Sequence, residues 1–249
     1  MIMKRIFASL TILSVFFFFT PLHANAATIA FDAYASGGVI ATPTLTKTYS
    51  LTTSGSNRYL VVTVMNNGGG DIVTGITYAG TAMTRAIAKP WPVNDANYTY
   101  LYYLFAPASG ANDIVVTVSA NPTQFSTNAA SYTGAAQSGT PDTGFLSENA
   151  SGDRYVSVTV STANSWLVLG AHVSADAGPT DVVLNGVKRH TGVVDTNPNF
   201  FDSNAAVGSG AQTIGLNWSA TDRHIMVALA FAPAADTGGS FQLWLLSLW

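Results

Sequence analysis

The chain has 249 residues, of which 48% are hydrophobic, only 9% are charged and none is cysteine. The absence of cysteine excludes disulfides and thiolate chemistry. Ten basic residues against thirteen acidic ones give a net charge of −3, which leaves no basic footprint for nucleic acid or anionic lipid.

Residues 1–26 read as an export signal. Lys4 and Arg5 form a positive start, Ile6 to Phe19 form an apolar run, Pro21 breaks it, and Ala24-Asn25-Ala26 fits a small-x-small cleavage site. The run is shorter than the roughly 20 apolar residues a spanning helix needs. Cleavage before Ala27 leaves eight basic residues and a net charge of −5, with Glu148 the only glutamate. Export without cysteine is expected of a secreted, cell-surface or phage-associated bacterial protein, since other secreted domains are often disulfide-stapled.

Candidate strands follow in chain order. Leu45–Leu51 leads through a Ser/Gly/Asn turn into Tyr59–Met65, and Asn66 to Asp71 is a loop. Gly75–Thr84 reads as a tight hairpin, Tyr98–Phe105 as an aromatic strand, and Ile114–Ser119 and Phe125–Thr133 as two more. The order then repeats: Val156–Val160, Trp166–Ala171, a hairpin within Val182–Val193, Thr213–Ser219 and Ile225–Phe231. Tyr155-Val156-Ser157-Val158-Thr159-Val160-Ser161 alternates valine with hydroxyl residues, as a strand with one dry and one wet face must. The stretch Ser56-Asn57-Arg58-Tyr59-Leu60-Val61-Val62 parallels Ala163-Asn164-Ser165-Trp166-Leu167-Val168-Leu169. The expected fold is therefore all-β: a two-sheet antiparallel β-sandwich, jelly-roll-like, of two similar halves within residues 27–233. On this reading Val156, Val158, Val160, Ile214, Leu216 and Trp218 are core.

Asn57-Arg58-Tyr59-Leu60-Val61-Val62, Ile76-Thr77-Tyr78-Ala79-Gly80-Thr81-Ala82-Met83-Thr84, Tyr102-Tyr103-Leu104-Phe105-Ala106-Pro107 and Ala129-Ala130-Ser131-Tyr132-Thr133-Gly134-Ala135 occur in that order. In this the chain resembles a widespread kind of bacterial secreted β-sandwich domain of unestablished function, often carrying a C-terminal sorting tail. The resemblance implies an extracellular module and transfers no functional residue. Residues 234–249 are expected to be a flexible linker and a short apolar tail. Gly238-Gly239-Ser240 before Phe241–Trp249 resembles the start of a Gly-Gly type sorting signal that lacks its longer apolar span and basic end. The tail offers an association with a membrane or the envelope.

No HExxH or G-x-S-x-G occurs. His172, His190 and His224 are dispersed and read as structural, Glu148 with Asp142 or Asp153 as loop carboxylates, and no catalytic residue is assigned. Tyr98, Tyr100 and Tyr102 share one strand face with Trp91 just upstream; exposed, they would form a stacking platform for sugar rings or a partner protein. Asp195, Asn197, Asn199 and Asp202 have the oxygen alternation of a Ca²⁺ loop, although Phe200 and Ala206 stand where an EF-hand needs Gly and an acid. Calcium is thus the single cofactor to weigh, against an ordinary Asx-turn loop. The leading expectation is an exported, non-enzymatic structural or adhesive module of a bacterial surface, with a glycan or a surface protein as partner and no nucleic acid. A carbohydrate-binding module using the Tyr face is the alternative, and a secreted hydrolase the third.

Overall fold

The computed structural model describes residues 27–40, 44–92, 96–173, 179–189 and 199–235; the segment read as an export signal and most of the expected tail lie outside them. None of the described residues is helical. The first half contains β1 (Ala30–Ile40), β2 (Thr46–Thr53), β3 (Tyr59–Asn67), β4 (Val73–Tyr78), β5 (Thr81–Ala82), β6 (Thr84–Pro90), β7 (Tyr98–Phe105), β8 (Gly110–Val118) and β9 (Gln124–Thr133). The second contains β10 (Asp142–Val160), β11 (Trp166–Val173), β12 (Pro179–Leu184), β13 (Val187–Lys188), β14 (Asn199–Asp202) and β15 (Gly210–Phe231).

The strands form antiparallel sheets with orders β1-β9-β3-β7-β6, β2-β8-β4-β5 and β10-β15-β11-β14-β13, with β12 added to β15. The antiparallel sandwich of two similar halves is thus present, carried by three sheets where the sequence suggests two. The third sheet does double duty. Its long strands β10 and β15 pair from Asp142↔Ala230 to Val160↔Gly210, with a register shift at Ala150/Gly152, where Gly152 has φ +80°. Beyond that kink the ribbon covers the sheet it came from. Val156, Val158, Val160, Ile214, Leu216 and Trp218 pack on Leu167, Leu169, Met226 and Ala228. The folding back brings the two legs of β10 into backbone contact: a Cβ on Gly144 would lie 2.2 Å from the Ser157 carbonyl oxygen.

The halves repeat each other in detail. Tyr59↔Tyr132 in the first corresponds to Trp166↔Phe231 in the second, and Thr53↔Gly110 to Val160↔Gly210. Asn57 and Asn164, which precede β3 and β11, both take left-handed φ, 51° and 63°. The Asp32 carboxylate accepts from Ser54 N at 2.8 Å and Ser54 Oγ, and Asp142 accepts from Ser161 N at 2.7 Å and Ser161 Oγ. Two sandwiches are therefore stacked back to back.

Three cores result. One lies inside the first half, between the β3 sheet and the β8 sheet, around Leu60, Val62, Tyr100, Tyr102, Ile114 and Val116. One lies under the folded ribbon. The third joins the halves, with Tyr59, Val61, Leu101, Tyr103 and Tyr132 of one packed on Trp166, Val168, Ile225, Val227 and Phe231 of the other. Covering on both faces explains why β3 is buried from Tyr59 to Asn66 without alternation. At one corner Ala27 N donates to Ala234 O at 3.2 Å and Ala234 N to Gly134 O at 2.8 Å.

Candidate functional site

The Tyr platform is not on the surface. Tyr100 and Tyr102 are 0% and 4% exposed and belong to the first half's inner core, while Trp91 is buried between the halves; only Tyr98 is half-buried. The reason is the layer order: β7 lies in a sheet covered on both sides, so neither of its faces is free. The Tyr100 hydroxyl receives Ile72 N–H at 3.1 Å and donates to Gly70 O at 3.3 Å, fastening the loop above it. Tyr102 reaches a shallow open depression between β4 and Arg85, its hydroxyl donating to Val73 O at 3.4 Å.

Of the residues of the calcium reading, Asp202 is engaged in an ion pair, while Asp195 and Asn197 lie outside the described residues. Asp202 sits in β14, fully buried, and its carboxylate receives Arg189 Nε at 2.6 Å, Arg189 Nη2 at 2.9 Å, the Tyr132 hydroxyl at 3.0 Å and Asn204 N at 2.9 Å. Four donors occupy the oxygens a cation would need. Asn199 begins the same strand. The Arg189 guanidinium also lies 4.1 Å from the centre of the Phe31 ring, so this ion pair ties the two halves together. No group of three or more metal-ligating side chains occurs among the described residues.

Two polar clusters stand at the kinked end of the second half. In the first, Glu148 Oε1 lies 2.9 Å from Arg154 Nε and 3.4 Å from His224 Nε2, and the His224 ring stacks on Trp218 at 4.4 Å. His224 and Trp218 are buried; Glu148 and Arg154 keep about a third of their side chains in solvent. Asp142 and Asp153 do not join Glu148: the first binds Ser161, and the second accepts from Asn217 Nδ2.

The internal repeat supplies a comparison for this cluster. His224 pairs with Glu148 and Val173, as Phe125 pairs with Ile40 and Asn66; Arg154↔Leu216 corresponds to Lys47↔Val116, which sets Trp218 against Val118. The first half fills the places of Glu148, His224 and Trp218 with Ile40, Phe125 and Val118, and keeps a cation, Lys47, at that of Arg154. The fold therefore does not require a carboxylate or an imidazole there. In the second half Glu148 bridges the kink, joining the leg before Gly152 to Arg154 just after it.

In the second cluster Trp91 Nε1 donates to His172 Nδ1 at 3.2 Å, the rings 4.8 Å apart, and the Arg223 guanidinium lies 5.3 Å from the Trp91 ring. Burial pushes the His172 pKa down to about 4, so near neutral pH the imidazole is uncharged. Neither cluster contains an adjacent Ser, Thr or Lys nucleophile in the contacts described. Comparison with protein-family models, curated proteins and solved structures finds no match to this chain.

A separate recess of about 180 Å³ opens at the other end of the contact between halves, beside the Ala27/Ala234 corner. Tyr59, Phe105 and Phe231 line it on the inside, and Ser138, Thr140 and Thr162 at the rim. Tyr59 stacks on Phe231 at 4.4 Å and meets Phe105 at 5.3 Å. Sequence reasoning passed over this site because its walls come from the linker at 136–141 and from strands of both halves.

Proposed function

We propose that the chain is an exported, non-enzymatic module of a bacterial cell surface, structural or adhesive in role. The observation that carries the reading is the back-to-back stack: one aromatic core fuses two sandwiches into a body whose outer faces are rich in hydroxyls. Thr46, Thr48, Ser50 and Thr52 line the exposed side of β2, and Ser157 and Thr159 that of β10. A stiff body with uncharged hydroxyl faces suits contact with polymers and neighbouring proteins, where long-range charge would repel or attract without selection. The motifs resembling those of bacterial secreted domains, and the export signal read at residues 1–26, support the same reading. The carbohydrate alternative through Tyr98, Tyr100 and Tyr102 loses its support, because Tyr100 and Tyr102 are inside and Tyr98 is half-buried.

The test is display. Cells expressing the full chain should carry it outside the cytoplasmic membrane and gain adherence to glycan- or protein-coated surfaces, whereas removal of residues 1–26 should retain it inside. Retention of the full chain in the cytoplasm would overturn the surface reading. Turnover of a chromogenic substrate panel, abolished by Glu148→Gln, would overturn the non-enzymatic one.

A further inference from the structure

We infer that the recess lined by Tyr59, Phe105 and Phe231 is a binding site for one neutral, hydroxyl-bearing ring, such as a single sugar residue. The volume sets the class. About 180 Å³ is several times the roughly 30 Å³ share of one water and close to the ~150 Å³ cavity that accepts benzene, so it holds one ring and not an extended ligand.

The chemistry sets the rest. None of the lining residues is charged, which favours a neutral ligand. The inner wall is aromatic and the rim carries the Ser138, Thr140 and Thr162 hydroxyls, so an occupant needs an apolar face and polar edges together.

An independent observation points the same way. The Tyr59 hydroxyl is buried and has no hydrogen-bond partner among the described residues. Buried polar groups in folded proteins are nearly always paired, and an orphan costs stability unless something outside the chain completes it. Tyr132 and Tyr100, by contrast, both satisfy their hydroxyls within the chain. Burial and the neighbouring Tyr103 raise the Tyr59 pKa well above 10, which keeps the phenol as an O–H group able to donate to a ligand hydroxyl. The proposal gives the adhesive reading its ligand, and rests on that reading only for where the ligand comes from.

The test is saturation-transfer NMR on the full chain with methyl glycosides of neutral monosaccharides, paired with a glycan array. The expected result is transfer to the ring protons of at least one glycoside. Ser138→Trp, a bulky substitution at an exposed rim position, should abolish the transfer, and Tyr59→Phe should weaken binding at least tenfold. The melting temperature of unliganded Tyr59→Phe should be unchanged or higher, because the variant removes an unpaired group. Binding of glycosides alone would mark a free sugar as the ligand, and binding on the array as well would mark the end of a glycan. No transfer from any glycoside, or transfer that survives both substitutions, would overturn the inference. A lowered melting temperature for Tyr59→Phe would do so too, since the hydroxyl would then serve the fold. None of these failures touches the export readout of the display experiment or adherence to protein-coated surfaces.

Discussion

Lowering the pH should loosen the joint between the halves through His172. This imidazole is buried where the β11 sheet meets Trp91, and its Nδ1 accepts the indole N–H at 3.2 Å. A second ring proton would add charge to a site already faced by Arg223. The ordinary pKa of 6.5 falls to about 4 in the folded chain because burial opposes the charged form. Above pH 6.5 both folded and unfolded chains hold a neutral ring, and the group's contribution is fully present. Between pH 6.5 and 4 the unfolded chain takes the proton first, so stability falls, and below about pH 4 the loss levels off. The difference of about 2.5 pH units corresponds to about 3 kcal/mol. For a domain of this size that is about 6–12 °C in melting temperature. Calorimetry of the wild type and His172→Gln from pH 8 to 4 measures it; glutamine keeps an acceptor for Trp91 and removes the titration. The wild-type slope between pH 6.5 and 4 should be the steeper of the two. Equal slopes would refute the reasoning. Asp32 does not confuse the window. Burial opposes its ionisation, but hydrogen bonds from Ser54 and Ser131 outweigh that and lower its pKa below 3.8, so its contribution is lost only at more acid pH.

Other perturbations test other joints. Asp202→Ala leaves the partly buried Arg189 opposite an empty site and should cost about 3 kcal/mol in chemical denaturation, while Asp202→Leu combined with Arg189→Met should recover much of the loss. Gly144→Ala drives a methyl group into the Ser157 carbonyl and should cost about 1–3 kcal/mol; a neutral result would mean that the two legs of β10 are not in backbone contact. Replacing Glu148 and His224 together by Ile and Phe, their counterparts in the first half, should leave the fold intact by circular dichroism. Failure of that variant to fold would show that the cluster is structural.

The strands that alternate were legible in the sequence, and so was the burial of Val156, Val158, Val160, Ile214, Leu216 and Trp218, because each has one wet neighbour face. The repeat was legible at Asn57 and Asn164, since a left-handed turn before a strand favours the same residue twice. The stacking of halves was written less plainly. Its sign is the unbroken run Tyr59-Leu60-Val61-Val62-Thr63-Val64-Met65, in which consecutive residues face opposite sides and all are apolar or buried. Weighing that run would have shown that Tyr100 and Tyr102, on the neighbouring strand, had no wet side. Strand β1 was missed because Ala30–Ile40 contains Gly37 and Gly38 and does not alternate. The ion pair of Asp202 was not legible, because an Asp/Asn-rich stretch looks alike whether it holds calcium or an arginine. The partner, Arg189, comes from across the β13–β14 pairing, a contact that spacing alone does not reveal.

The corner at which Ala27, Gly134 and Ala234 are hydrogen-bonded closes the described chain on itself. Ala27 and Ala234 meet across one backbone hydrogen bond of 3.2 Å. A chain closed in this way has no intrinsic first strand: joining these two residues by a short linker and opening the chain at a surface turn would permute the order of the elements without moving any of them.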